Sequence, residues 1–142
     1  MTNSAKLIEF YPLAENRPDL VLTSSGKTLD TLTLDAVMAG EVSAADITIT
    51  PAALVLQAEI ARSAQRDRLA ENLERAAELA TVPQTVLLAA YEILRPGRAK
   101  AASDILAMAE RLRRDFGAQR IAAMMEEAAS AYQRRGLFTH RY

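Results

Sequence analysis

Gly26-Lys27-Thr28 is the first place in the chain where residues of a reactive kind meet. A glycine-rich loop ending in Gly-Lys-Thr can cradle a phosphate with its backbone N–H groups, while the lysine adds charge and the threonine hydroxyl holds magnesium. The complete motif needs a second glycine five positions before Gly26, and that position is Val21. No strand pattern precedes the tripeptide and no helix pattern follows directly, so it reads as a polar turn.

Carboxylates offer the next possibility. Glu71, Glu74 and Glu78 share one face of a helical stretch, and Glu126 and Glu127 are adjacent. Clustered carboxylates can relay protons or bind hard cations. Arg75 is interleaved with the first group, however, and no histidine stands near either. A solvated ion-pair face is the reading, with Glu71 placed four residues before Arg75 in the favourable order for a surface pair. His140, the sole histidine, has no partner from which to build a triad or metal site. Arg111, Arg113, Arg114, Arg120, Arg134 and Arg135 could touch phosphates, but Glu110 and Asp115 dilute them and aromatic stacking partners are few. Met108, Met124 and Met125 fall at core spacing rather than forming a binding surface. The residues therefore nominate no catalytic, cofactor-binding or metal-binding side chain.

The totals agree with that. At 142 residues with no cysteine, the chain is long enough for one core and excludes disulfides, zinc–thiolate sites and thiol catalysis. No apolar run is expected to reach the length of a membrane span, and the first residues lack a signal-peptide pattern, so a soluble, cytoplasmic chain is expected. Residues 1–50 hold three Lys/Arg against seven Asp/Glu, whereas the rest of the chain is mildly basic. Such asymmetry suits an electrostatic partner surface but falls short of the basic stripe of a nucleic-acid binder.

The elements follow from periodicity and punctuation. Residues 1–32 carry Pro12 and Pro18 at spacings that forbid regular helix, and Ser24 to Lys27 is a turn. Leu7, Ile8, Phe10, Tyr11, Leu13, Leu20, Val21 and Leu22 are too apolar for a disordered tail, so this arm must lie on its own helices or on another chain. A short helix from Thr33 to Gly40, one further turn at Ser43 to Asp46 and an extended link Ile47-Thr48-Ile49 come next. Thr50-Pro51 opens the first long helix. It either runs unbroken into the stripe Leu69, Leu73, Ala76, Ala77, Ala80 or kinks around Ser63 to Gln65. Pro83 to Leu94 is apolar nearly all round and is expected to be the most buried helix. Arg95-Pro96-Gly97 ends it. Helices from about Ala99 to Phe116 and Ala118 to Arg135, divided by Gly117, complete the chain. The fold class is all-α: an open up-and-down helical bundle over 51–142, with an extended irregular N-terminal arm over 1–50.

Within that frame, Arg66-Asp67-Arg68-Leu69-Ala70-x-Asn72-x-x-Arg75-Ala76-Ala77-Glu78-Leu79, then Val82-Pro83 and Leu94-Arg95-Pro96, resembles the small (gamma) subunit of adenosylcobalamin-dependent diol and glycerol dehydratases. Tyr11-Pro12-Leu13-Ala14, Gly26-Lys27-Thr28-Leu29, Ile49-Thr50-Pro51 with Leu54, and Gln57-Ala58-x-Ile60-Ala61 extend the resemblance in order, from about Tyr11 to Tyr132. Gly97 stands where the family usually has an aromatic, and an aromatic is also common at the position of Leu73.

The resemblance implies a dimer of heterotrimers of large, medium and small subunits. That holoenzyme dehydrates glycerol to 3-hydroxypropionaldehyde, or 1,2-propanediol to propionaldehyde, by radical chemistry. Adenosylcobalamin would sit between the large and medium subunits and not on this chain, whose part would be assembly and stability. Expected interface residues are Phe10, Tyr11 and Leu13 of the arm, with Arg66, Arg75 and Arg95. Partners would be the large and medium subunits, with neither nucleic acid nor membrane, in the cytoplasm or in a bacterial microcompartment. Only ten residues precede Tyr11, which leans slightly toward the glycerol type. A second reading is a stand-alone helical adaptor or regulator that homodimerises through the Pro83–Leu94 hairpin, and a third is nucleic-acid binding. Heteromeric copurification, a self-contained cooperative fold or a steep salt dependence would separate them.

Overall fold

The structure, a computed structural model, describes residues 7–138. It is all-α; among the described residues the only β feature is an isolated bridge between Leu22 and Thr28. Five helices carry the fold: α1 (Pro51–Ser63), α2 (Asp67–Leu79), α3 (Gln84–Leu94), α4 (Ala102–Phe116) and α5 (Gln119–Arg134). The chain divides into two compact units, Met1–Ala80 and Thr81–Tyr142.

In the first unit, α1 begins where Thr50 Oγ1 accepts the Ala53 N–H at 3.2 Å and Pro51 occupies the first turn. It ends in a reversal, with Gln65 at φ 58° and the Arg66 N–H bonded back to the Ala61 carbonyl at 2.9 Å. Of the two expectations for this junction, a continuous helix is excluded and the break near Ser63–Gln65 is sharper than a kink. The hairpin closes on three buried alanines, Ala58, Ala61 and Ala70, with Leu73 packed against them. Small side chains let the two backbones approach closely. Arg62 reaches across to Glu74 at 2.9 Å. Glu71 lies 3.5 Å from Arg68, not beside Arg75 as the spacing suggested, and Arg75 donates to the side chain of Asn72.

The arm lies on its own unit. A turn at Ile8–Phe10 packs on α1 and Leu7 is buried. The peptide bond before Pro12 is cis, and Asn16 Nδ2 spans the bend by donating to the Tyr11 carbonyl at 2.8 Å and the Glu9 carbonyl at 3.2 Å. Arg17 forks onto Asp19 at 2.7 and 2.9 Å while its guanidinium lies 4.7 Å from the centre of the Phe10 ring, a cation–π contact.

Further along, Gly26-Lys27 is a turn indeed, and the turn has a structural task. Gly26 takes φ +82°. Lys27 Nζ donates to the Glu41 carbonyl at 2.6 Å and to Asp46 Oδ2 at 3.0 Å. Asp46, 5% exposed, also accepts from the Ser25 hydroxyl and, at 2.9 Å, from the Ser43 N–H that opens its own helical turn, Ala44–Ile47. These donors, with the Ser25 hydroxyl foremost, hold the Asp46 carboxyl far below the ordinary carboxylate range.

One stretch departs from expectation on membranes: Ala44–Ser63 is long and apolar enough by composition to cross one. Its backbone is not one helix, however. Thr48 and Thr50 are extended, and α1, with 13 residues, measures about 20 Å against the roughly 30 Å of a bilayer core. Five residues of α1 are buried within the protein.

The second unit is built around α4 and α5. Gly117, at φ +65° in the left-handed region, stops α4, and the Ala118 N–H returns to the Leu112 carbonyl at 3.1 Å. Ile105, Ala109 and Leu112 of α4 interlock with Ala118 and with Ile121, Ala122, Met125 and Ala129 of α5, all buried. Arg113 bridges the hairpin to Glu126 at 2.6 Å. Pro83 is the N-cap of α3, not its first helical residue, and Val82 before it is buried. α3 itself corrects an expectation: only Val86 and Ala90 are buried, and Tyr91 is 69% exposed. Within its unit it packs on α4 along one narrow face, so its all-round apolar character marks covered and uncovered faces alike. At its end, Tyr132 Oη donates to the Leu94 carbonyl at 2.5 Å, satisfying a group the helix leaves unpaired.

Two predictions follow from these bonds. Asp46→Asn should lower the midpoint of thermal unfolding by several degrees at neutral pH. Because the folded-state pKa is depressed, the carboxylate's contribution is complete above its unfolded value of about 3.8 and fades as pH falls below it. Melting curves of the two proteins should therefore converge toward acid; a gap that stays constant to low pH would show that the lost charge is not the cause. Tyr132→Phe removes one hydrogen bond and should destabilise by about 1 kcal/mol, read by denaturant unfolding followed by circular dichroism.

Candidate functional site

Between the arm and the α1–α2 hairpin lies a half-open groove of about 590 Å³. It arises directly from the alanine seam. With small residues holding the helices together, the larger side chains on the rim of the hairpin have no helix to pack on, and the arm covers only part of them. Leu69, expected on the inner stripe of α2, is instead 43% exposed and forms one wall with Leu73. Ile60 contributes from α1, Ala64 from the cap that follows it, and Ile8, Leu13 and Val21 from the arm.

Of the residues named from sequence, the structure brings Tyr11, Leu13 and Arg66 to this one groove. Tyr11 is 71% exposed and Leu13 is half-buried. Phe10 sits beside the groove beneath Arg17 and is not part of its wall. Arg75 is on α2, engaged with Asn72. Arg95 belongs to the second unit, exposed and 3.0 Å from Glu92, which also pairs with Arg98.

Beyond the groove, the first unit exposes apolar side chains without helical cover. The short helix Leu34–Met38 is capped by Thr33 as expected, its Oγ1 accepting the Ala36 N–H at 3.2 Å, yet Leu34 is 75% and Met38 80% exposed. Ile47 and Ile49 are exposed as well. Patches of this kind on a folded chain mark surfaces that other molecules cover. Sequence reasoning identified these residues as apolar but not as uncovered, because periodicity reports which face is apolar and not whether anything packs on it.

Among the described residues, no group of three or more His, Cys, Asp or Glu could hold a metal ion. His140 lies outside the described residues. Gly26-Lys27-Thr28 is committed to Glu41 and Asp46 rather than open for a phosphate. The basic residues of α4 are largely tied to neighbouring acids: Arg111 and Arg114 to Asp115, and Arg113 to Glu110 and Glu126. The one signal that could have located the buried Asp46 from sequence is Ser43-x-x-Asp46, a capping pattern that places its carboxylate on the turn's own N–H.

Residues 7–139 match the dehydratase small-subunit family. The propanediol dehydratase small subunit of Citrobacter freundii is 46% identical over 133 residues, 94% of this chain and 76% of that protein. Its counterpart in Salmonella typhimurium is 46% identical over 134 residues, with the same coverage.

Proposed function

Since the chain belongs to the dehydratase small-subunit family, we propose that it is the non-catalytic small subunit of an adenosylcobalamin-dependent dehydratase, a carbon–oxygen lyase. The observation that carries this is the 46% identity, sustained over 94% of the chain, to two propanediol dehydratase small subunits. Propanediol, converted to propionaldehyde, is the substrate we assign to the complex. Those two relatives reverse the slight lean toward glycerol that the arm suggested, and conversion of glycerol to 3-hydroxypropionaldehyde becomes the comparison reaction. Both relatives are bacterial, and we place the complex in the cytoplasm.

The chain's part is to bind and stabilise. Exposed Leu34, Met38, Tyr11 and Tyr91 are the surfaces that large and medium subunits would cover in a dimer of heterotrimers. An association that engages only folded partners stabilises them by mass action. In this reading residues 1–50 dock and residues 51–142 form the supporting helical body, with Phe10, Tyr11, Leu13, Arg66, Arg75 and Arg95 as the first interface residues to test.

Adenosylcobalamin supplies the radical that begins the reaction when it is bound to the holoenzyme. The groove's side chains suit it poorly, since among the described residues Tyr11, Gln57 and Arg66 are the only polar ones lining an otherwise apolar wall, whereas a corrinoid presents many amides. We route no step of the reaction through this chain.

Coexpression of this chain with its large and medium partners should yield all three in equal amounts by native mass measurement. The product should form propionaldehyde from 1,2-propanediol only with adenosylcobalamin, with a higher kcat/KM than for glycerol. A homodimer with no larger companion would replace this reading with that of a stand-alone adaptor. Tyr11→Ala combined with Leu13→Ala should weaken assembly while leaving the helical circular dichroism spectrum intact; normal assembly would show that the arm is not an anchor.

A further inference from the structure

The chain carries fourteen arginines but only three lysines, Lys6, Lys27 and Lys100, and no cysteine. Amines and thiols are the side chains that attack aldehydes, whereas a guanidinium keeps its proton to about pH 12 or beyond and offers no lone pair. On the reading above the complex releases an aldehyde, so these few amines decide where its product can react with this chain. Lys6 lies outside the described residues. The other two stand in opposite situations.

Lys27 is half-buried, and its Nζ donates to the Glu41 carbonyl at 2.6 Å and to Asp46 Oδ2 at 3.0 Å. Attack would require this amine to give up a proton and break both bonds, leaving the buried Asp46 carboxylate without its cation. Lys100 is exposed, in the turn between α3 and α4. Its backbone N–H and that of Ala101 donate to Asp104 Oδ2 at 2.9 and 3.1 Å, which fixes the main chain there. Its Nζ makes no hydrogen bond or ion pair among the described residues. A group added to it disrupts no bond of the fold.

We propose that Lys100 is where the aldehyde product of the complex condenses with this chain, and that Asp46 and Glu41 shield Lys27 from the same reaction. The inference rests on the dehydratase reading above and extends it to the fate of the product. The Lys100 amine adds its lone pair to the carbonyl carbon, forming a C–N bond. The carbonyl oxygen takes up the proton that the nitrogen loses, giving a carbinolamine. Loss of water then yields an imine without any oxidant or reductant, and water reverses the step. Reaction is thus directed to a position where the fold is indifferent to it. It is kept from the lysine whose modification would undo the Asp46 network.

The test treats the full chain with propionaldehyde and cyanoborohydride, which reduces each imine to a stable N-propyl amine, and reads both sites by peptide mass spectrometry. Lys100 should be labelled about tenfold faster than Lys27 or more, because two charge-assisted hydrogen bonds hold the latter. Urea should bring the two rates together. Asp46→Asn should speed labelling of Lys27 and leave Lys100 unchanged. Should circular dichroism show that this variant misfolds, the comparison of native and urea-treated wild type carries the test. Equal labelling in the native chain, or a Lys27 rate that urea does not raise, would overturn the shielding. In the assembled complex, turnover of 1,2-propanediol with adenosylcobalamin, followed by cyanoborohydride, should label Lys100. Aldehyde formed with Lys100 left unlabelled would overturn the product site and leave the dehydratase reading standing. A complex that forms no aldehyde would remove that reading and the product with it, while selectivity between the two lysines stands or falls on added propionaldehyde alone.

Discussion

The close approach of α1 and α2 across Ala58, Ala61 and Ala70 is the constraint from which the first unit's surface follows. Alanine permits short interhelical distances but buries little apolar area, and burial is worth about 25 cal/mol per Å². A hairpin sealed by alanines therefore gains less than one sealed by leucines, and it displaces its larger apolar residues to the rim. That is where Leu69 stands, and it explains why an arm rich in apolar residues folds back over the hairpin without covering it completely. The second unit solves the same problem differently. Its largest fully buried side chains, Ile105, Leu112 and Met125, lie in the α4–α5 hairpin, so that pair is sealed by bulk. One chain thus contains a hairpin with a substantial core of its own and another whose apolar surface is left over.

A second constraint orders the region between arm and hairpin. Residues 23–46 form only short helical segments, and a buried carboxylate ties two of their turns together. Asp46 collects donors from Ser25 and Lys27 of one turn and from Ser43 of its own turn, so its hydrogen bonds tie those two turns together. A buried charge is tolerable only when so surrounded, and removing any one donor exposes the rest to the penalty of an imperfectly satisfied ion. The lysine that resembles a phosphate ligand in the sequence is one of these donors. Its second bond, to the Glu41 carbonyl, leaves it doubly committed within the chain.

What the sequence disclosed, it disclosed through backbone chemistry. Thr50-Pro51, Thr33 and Gly117 mark helix ends because their φ preferences and hydrogen-bonding groups act locally, and each stands where it was expected. In α4 and α5 the period was a partial guide: Met125 is buried as its core spacing implied, whereas Met108 and Met124, at core spacing too, are half-buried. The misses concern non-local choices. Gln65 adopts a left-handed conformation that glycine or asparagine would signal, so nothing at that position announced a full reversal. Glu71 had two arginines within helical reach, and side-chain rotamers, not spacing, sent it to Arg68. The exposure of α3 was invisible because an all-round apolar helix looks the same whether its neighbours belong to its own chain or to another.

That ambiguity also bears on the fate of the isolated chain. Exposed Met38, Leu34, Tyr11 and Tyr91 contribute little to the stability of the fold that displays them, since most of their surface stays in water. On burial by a partner they begin to contribute, and their transfer free energy then counts toward both association and folding. Stability and assembly become one quantity, set by partner concentration as much as by the chain's own contacts. On the reading proposed above, this coupling would be the chain's mode of action. The apolar residues withheld from its own core are available to hold a complex together, and the alanine seam is what makes withholding them compatible with a closed hairpin.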